Sequence, residues 1–359
     1  MQIIFDNIIF SLQKTGGISV YWYEIIHKAL KQEDVNSLFI EEDNRSENIF
    51  RKYLNIVPLK LLNSNNYTKK FFSRYREIDI KVKNSSFIFH SSYYRTLSKK
   101  VKKKNNVKEV VTVHDFTYEH FSKGLKKWIH SAQKKKAINA ADIVLCISEN
   151  TKKDLLYFFP EFSKKEIKVV YNGVSSDYYN ISEFDNIKSE SPYFLFVGSR
   201  ATYKNFDFCV HAVAQMDKRY KLKIVGSNLN KKELYMLNNL LLGRWELFTN
   251  VENKKLNQLY NDSYALIYPS SYEGFGIPLL EAMKAGCPFI ALNASSIYEV
   301  SQGAGVLIDK LEIASFNEAI LKIDTHRNEI IKRGFERGNE FSWEKCYIET
   351  MNVYKDLYK

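Results

Sequence analysis

Short apolar runs alternate with longer helical patterns twice along this chain, and that double alternation restricts its folds more than any other feature. Runs of strand length stand at 3–5, 38–40, 87–89, 110–113, 143–147 and 167–171, then again at 193–197, 222–225, 246–248, 264–268 and 289–291. Continuous apolar runs suit strands buried on both faces, and the helical stretches between them are the crossovers that parallel pairing requires. The sequence therefore predicts an α/β chain with two doubly wound, Rossmann-like domains facing across a cleft. Its 359 residues exceed one ordinary core and fit two domains of roughly 150 to 200 residues. A polar, acid-containing segment at 175–192, ending at Pro192, is the predicted linker, which places the domains at 1–178 and 190–340. An amphipathic helix in 341–359, with Trp343, Tyr347, Met351 and Tyr354 on one face, is expected to return to the first domain.

Hydrophobic residues make up 45% of the chain and charged residues 26%, which excludes a disordered protein. Cys146, Cys209, Cys287 and Cys346 show no C-x-x-C spacing and read as reduced core residues. No apolar run approaches 18 residues and no basic leader opens the chain, so a cytoplasmic location without a membrane span is expected.

Charge is unevenly divided: residues 1–180 carry 31 Lys and Arg against 19 Asp and Glu, whereas residues 181–359 carry 22 of each. The excess gathers at Lys99, Lys100, Lys102, Lys103 and Lys104, at Lys123, Lys126 and Lys127, and at Lys134, Lys135 and Lys136. With Phe116, Phe121, Trp128 and Ile129 interleaved, these clusters predict a peripheral contact with an anionic membrane surface. A merely solvated lysine face is the plainer reading, and nucleic acid the weakest of the three.

Five features point to chemistry. In 268–290, strand, glycine turn and helix follow in order, and Gly274 and Gly276 let the backbone approach a ligand at a helix start that favours anions. Pro278 at the first helical position puts Glu281 in the first helical turn, while Glu273 stays on the turn, so the two acids are placed to grip separate parts of an elongated ligand. Arg200 and Lys204 stand just past the strand at 193–197, where paired cations suit a diphosphate. Gly16 and Gly17 precede a helix, but G-x-G-x-x-G is absent, so hydride chemistry loses support. His90, His114, Asp115, Ser148 and Glu149 follow strands of the first half, at the sheet end where ligands collect.

Taken together, G-G-I-S-V-Y (16–21), V-H-D (113–115), I-S-E-N-T (147–151), Y-N-G-V (171–174), V-G-S-R-x-x-x-K-N (197–205) and E-G-F-G-I-P-L-L-E-A-M (273–283) resemble one family, the family 4 retaining glycosyltransferases. The resemblance spans nearly the whole chain and is most specific at E-x7-E. It implies the GT-B fold, with an acceptor-binding first domain and a nucleotide-sugar-binding second domain. It also implies no cofactor and no metal, and the chain carries no D-x-D triplet. By position, Glu281 is expected on the ribose hydroxyls, Glu273 on the transferring sugar, and Gly274, Phe275 and Gly276 beside it. Arg200 and Lys204 are expected on the diphosphate, the Gly17 N–H on the distal phosphate, and His114 near the donor sugar. His90, Asp115, Glu149 and Asn172 are secondary or acceptor contacts. The implied activity is transfer of a hexose from a nucleotide-diphosphate sugar to a glycan or lipid-linked glycan. GDP-mannose is slightly favoured over UDP- or dTDP-sugars. A GT-B epimerase or phosphorylase is the second reading, and a nonenzymatic protein that binds anionic surfaces is the third.

Overall fold

In the computed structural model, which describes residues 1–42, 46–62, 74–83, 86–181 and 191–359, contacts divide the chain into two units. One comprises Met1–Asn172 with Trp343–Lys359, the other Gly173–Ser342. Of the predicted linker, residues 182–190 lie outside the described residues.

Among the described residues, unit 1 is built on seven parallel strands: β1 (Gln2–Asp6), β2 (Asn36–Glu41), β3 (Lys60–Leu61), β4 (Ser86–Ser91), β5 (Asn106–Val113), β6 (Ile143–Cys146) and β7 (Glu166–Val169). Their order is β3-β2-β1-β4-β5-β6-β7, with Ile3 opposite Ser37 on one side and Ile88 on the other. β1 is buried throughout because it starts both halves of the winding. The Trp343–Tyr358 helix belongs to this unit: Trp343 meets Tyr21 at 6.3 Å between ring centroids, and Trp343, Tyr347, Met351 and Tyr354 are all buried.

Unit 2 repeats the winding with β8 (Tyr193–Val197), β9 (Lys221–Val225), β10 (Trp245–Phe248), β11 (Ala265–Tyr268), β12 (Phe289–Leu292) and β13 (Val306–Ile308), in the order β10-β9-β8-β11-β12-β13. Phe194, Phe196, Leu222, Ile224, Ile267 and Ile290 anchor its core against the flanking helices. β3 and β13 are additions to the sequence reading. β3 is a two-residue exposed edge, and β13 follows the Gly-Ala-Gly run at 303–305, where the pattern reads as loop. All four cysteines are buried and free. Among the described residues, no helix is long and apolar enough to cross a membrane.

Candidate functional site

In unit 2 the loops after β8 and β11 are tied together before any ligand arrives. Asn205, left-handed at φ 50°, donates through Nδ2 to the Pro269 carbonyl at 2.8 Å and to Ser271 Oγ at 2.7 Å, while the Ser271 N–H donates to the Tyr203 carbonyl at 2.8 Å. Asparagine tolerates that conformation, which turns the chain so that Lys204 points at the next loop. There the Lys204 ammonium donates to the Glu273 carboxylate, and both side chains are mostly buried. The two residues expected on different parts of the ligand therefore form one ion pair.

Two serines hold the glycine turn, and sequence reasoning gave them no role. The Glu273 N–H donates to Ser295 Oγ at 2.8 Å. Ser296 Oγ lies 2.9 Å from the Glu273 carbonyl and 3.0 Å from that of Phe275, its single O–H shared between them. Phe275 is buried with its ring edge on Phe341, so the turn is anchored from inside. Gly276 caps the next helix at φ 104°, a conformation that strains any residue with a Cβ. That helix, Ile277–Lys284, places Glu281 beyond its first turn, because Ile277 and not Pro278 opens it. The expected placement of Glu281 in the first helical turn is thereby corrected. Instead Tyr260 Oη donates to its carboxylate at 2.9 Å, and Tyr178 also bonds to it. Burial raises its pKa to about 7 and the two tyrosines hold it back from rising further, so Glu281 exchanges a proton near neutrality.

Arg200 is more committed than expected. Its Nη2 donates to the Ser227 carbonyl at 2.8 Å and the Asn228 carbonyl at 2.7 Å, and its Nε lies 3.1 Å from the Glu233 carboxylate. Nε and Nη1 are both buried without a hydrogen-bond partner among the described residues, and with Nε facing Glu233 it is Nη1 that is left for a phosphate. Gly226, at the start of this loop, has no room for a side chain, since a Cβ would stand 2.5 Å from the Gly198 carbonyl.

Unit 1 separates its expected contacts into three kinds. Gly17 is the first residue of the Gly17–Ala29 helix, whose leading N–H groups lack intrahelical partners and suit an anion. His114 is buried on the ring edge of Tyr21, centroids 5.0 Å apart, with Nε2 unpartnered. Burial lowers its pKa to about 4, so it meets a ligand as a neutral imidazole and carries no charge to a reacting centre at pH 7. Asn172 is buried with Oδ1 unpartnered. Asp115 accepts the Thr117 N–H at 2.9 Å, shaping the turn after β5, and Glu149 is an exposed acid in the first turn of a helix that Ser148 caps. His90 is a correction. It is wholly buried, with Nδ1 2.5 Å from Tyr354 Oη and Nε2 3.0 Å from Thr112 Oγ1, so neither nitrogen remains for an acceptor. Its work is to bond the C-terminal helix to the sheet.

The basic surface narrows as well. Lys134 is buried on Glu119 at 2.7 Å, Lys135 pairs with Glu161, Lys136 with Glu77 at 2.8 Å, and Phe116 is a core residue. What stands exposed around the start of the Gly124–Ala140 helix is Lys123 and Lys126 with Phe121, Leu125 and Trp128, the last three at 47%, 70% and 68% exposure. Among the described residues, no group of three or more His, Cys, Asp or Glu comes together as a metal site would require.

Comparison with known proteins agrees with this architecture. Residues 15–178 match the model described as Glycosyltransferase Family 4, and residues 178–337 match that described as Glycosyl transferases group 1. O-antigen chain mannosyltransferase B of Escherichia coli is 26% identical over 269 residues, which is 69% of this chain and 70% of that protein. An O-antigen chain mannosyltransferase of Salmonella typhimurium is 27% identical over 220 residues, 60% of this chain and 61% of its own. Among solved structures, sucrose-phosphate synthase of Thermosynechococcus elongatus superposes with a TM-score of 0.74 at 18% identity, covering 100% of this chain and 99% of its own. The Anabaena protein HepE, crystallised with UDP and glucose, gives 0.75 at 16% identity over 99% and 100%. The fold is thus that of the GT-B proteins, two Rossmann-like domains.

Proposed function

The chain belongs to glycosyltransferase family 4 and is a glycosyltransferase, and we propose that it is a retaining, metal-independent hexosyltransferase of surface-polysaccharide assembly. Unit 2 takes a nucleotide-diphosphate sugar and unit 1 recognises a glycan or lipid-linked glycan. GDP-mannose is the favoured donor, since two relatives are named as mannosyltransferases of O-antigen chains.

The observation that carries this reading is the Lys204–Glu273 pair beside the serine-clamped turn. Lys204 gives one N–H to Glu273 and keeps two for phosphate oxygens. Glu273 keeps lone pairs for a sugar hydroxyl, and ionised Glu281 accepts from the ribose. The bond between the sugar C1 and the diphosphate oxygen breaks as the acceptor oxygen bonds C1 on the same face. The acceptor's proton passes to the departing phosphate oxygen, and a nucleoside diphosphate leaves. Lys204 and Arg200 Nη1 neutralise the charge that grows on that oxygen, a contribution of roughly 2 to 4 kcal/mol per donor.

The test is incubation with GDP-mannose and with UDP- and dTDP-sugars, followed by NMR of the products. Release of free sugar or glycoside with the donor's anomeric configuration supports the reading. An epimerised sugar nucleotide, a sugar phosphate formed from added phosphate, or inverted product contradicts it.

The exposed Phe121, Leu125 and Trp128, with Lys123 and Lys126 among them, support peripheral attachment to an anionic inner-membrane surface.

A further inference from the structure

A second group of unsatisfied polar atoms lies in unit 1, on the side chains that follow β4 and β5. Tyr93 and Tyr94 come shortly after β4, Tyr118 after β5, and the Gly124–Ala140 helix presents His130 and, one turn on, Gln133. Tyr93 Oη bonds to His130 Nε2, and the His130 ring stacks on Tyr118 with centroids 3.7 Å apart. Gln133 Nε2 donates to the Arg74 carbonyl at 2.5 Å, and the Arg74 guanidinium carbon stands 5.2 Å from the Tyr93 ring centroid.

Among the described residues, three buried atoms of this one cluster have no partner: Arg74 Nε, His130 Nδ1 and Gln133 Oε1. His130 is 6% exposed and Gln133 8%. Native proteins leave few such atoms, so three together single this cluster out as a place that suits a polar ligand. Their chemistry is specific. Burial, with Lys134 and Arg74 nearby, lowers the His130 pKa to about 3, so the ring is neutral. In the tautomer whose Nε2 accepts from the Tyr93 hydroxyl, Nδ1 carries the proton and donates. Among the described residues no carboxylate pairs with Arg74, and the Asp115 carboxylate is turned to the Thr117 N–H. A half-buried guanidinium that pairs with no carboxylate among the described residues, beside an unpaired imidazole nitrogen, suits an anion.

We propose that Arg74, His130 and Gln133 form the acceptor-recognition pocket and select an anionic carbohydrate. The guanidinium and the imidazole N–H take a phosphate or carboxylate oxygen, and Gln133 Oε1 accepts from a neighbouring hydroxyl. The inference rests on the glycosyltransferase reading and adds to it the class of acceptor.

The experiment is calorimetric titration of the full chain with methyl β-glucuronoside, standing for an acidic sugar, with geranyl diphosphate, standing for a lipid-linked phosphate, and with neutral methyl β-glucoside. At least one anion is expected to bind, about tenfold or more tighter than the neutral glycoside. Arg74→Gln weakens that anion about tenfold or more, Arg74→Lys recovers part of the loss, and Lys204→Ala leaves it unchanged. Which anion binds identifies the source. Should Arg74→Gln fail to fold by circular dichroism, Gln133→Glu carries the test, because a negative charge there must weaken the same anion by a similar factor. Binding of neither anion, indifference to these substitutions, or loss in Lys204→Ala instead overturns the proposal. Hydrolysis of nucleotide sugars by the wild-type chain is followed in parallel. Hydrolysis without anion binding overturns this inference alone, whereas anion binding without hydrolysis of any donor overturns the donor reading and not the pocket.

Discussion

Lys204 and Glu273 bond to each other, ammonium to carboxylate, across the loops that follow β8 and β11. Neither residue is then an independent contact, because removing one leaves the other mostly buried and unpaired. Lys204→Ala is expected to lower kcat/KM by a factor equivalent to roughly 2 to 4 kcal/mol. Glu273→Gln should cost a similar amount, and the double variant clearly less than the sum. A double-mutant cycle on donor hydrolysis reads this directly, and additive losses would show that the pair does not act as one unit.

Burial brings the Glu281 carboxyl to a pKa of about 7. With a pKa near 7, its ionised fraction rises from roughly a tenth at pH 6 to roughly nine tenths at pH 8. If the carboxylate is what accepts the ribose hydroxyls, donor affinity rises about tenfold over that range, and Glu281→Gln flattens the profile. Stability moves the other way. The folded state holds this proton more tightly than the unfolded chain, so the contribution of Glu281 falls as pH climbs from about 4.5 to about 7. Calorimetric donor titrations and urea unfolding at matched pH values measure the two slopes, and slopes of equal sign would refute the assignment.

Ser296→Ala removes the one hydroxyl that bonds the carbonyls of Glu273 and Phe275. Two carbonyls, one buried and one part-buried, lose the donor they share, at a cost of about 1 to 3 kcal/mol in unfolding free energy. Because the turn carries Glu273, kcat should fall more than donor affinity does. Unchanged kcat at a lowered urea midpoint would confine Ser296 to stability.

Gly226→Ala drives a Cβ against the Gly198 carbonyl, backbone against backbone. Neither loop can yield cheaply, and a loss of about 1 to 3 kcal/mol is expected. Thermal unfolding reads it, and an unshifted midpoint would mean that the two loops move apart freely.

Much of this arrangement was legible before the structure, and the remainder was not, for identifiable reasons. The parallel sheets announce themselves because their strands are buried on both faces, which writes continuous apolar runs such as 193–197 and 264–268. Glu273, Glu281, Arg200 and Lys204 stand out because a short motif sets their spacing along the chain. Tyr178 and Tyr260 could not be found that way, since they reach Glu281 from 103 and 21 residues earlier in the chain, outside the motif. Lys134 and Phe116 were misplaced on the surface because composition alone does not reveal a partner, and the Glu119 that lets Lys134 be buried lies on another helix. His90 sits where ligands gather in such sheets, but the C-terminal helix, distant in sequence, supplies Tyr354 and closes it off.

The proposed attachment to membranes through the Gly124–Ala140 helix depends on both apolar and charged groups. Trp128→Ser combined with Lys126→Glu should abolish co-sedimentation with phosphatidylglycerol vesicles while donor hydrolysis in solution persists. Binding that survives the double change, or that is equal on phosphatidylcholine, would place the contact elsewhere.

The most direct test of the central claim is a crystal structure with the nucleotide-diphosphate sugar that the chain hydrolyses. The account predicts the ribose hydroxyls within hydrogen-bond distance of Glu281 and the diphosphate within reach of the Lys204 ammonium. A donor bound in full occupancy away from both side chains would contradict it.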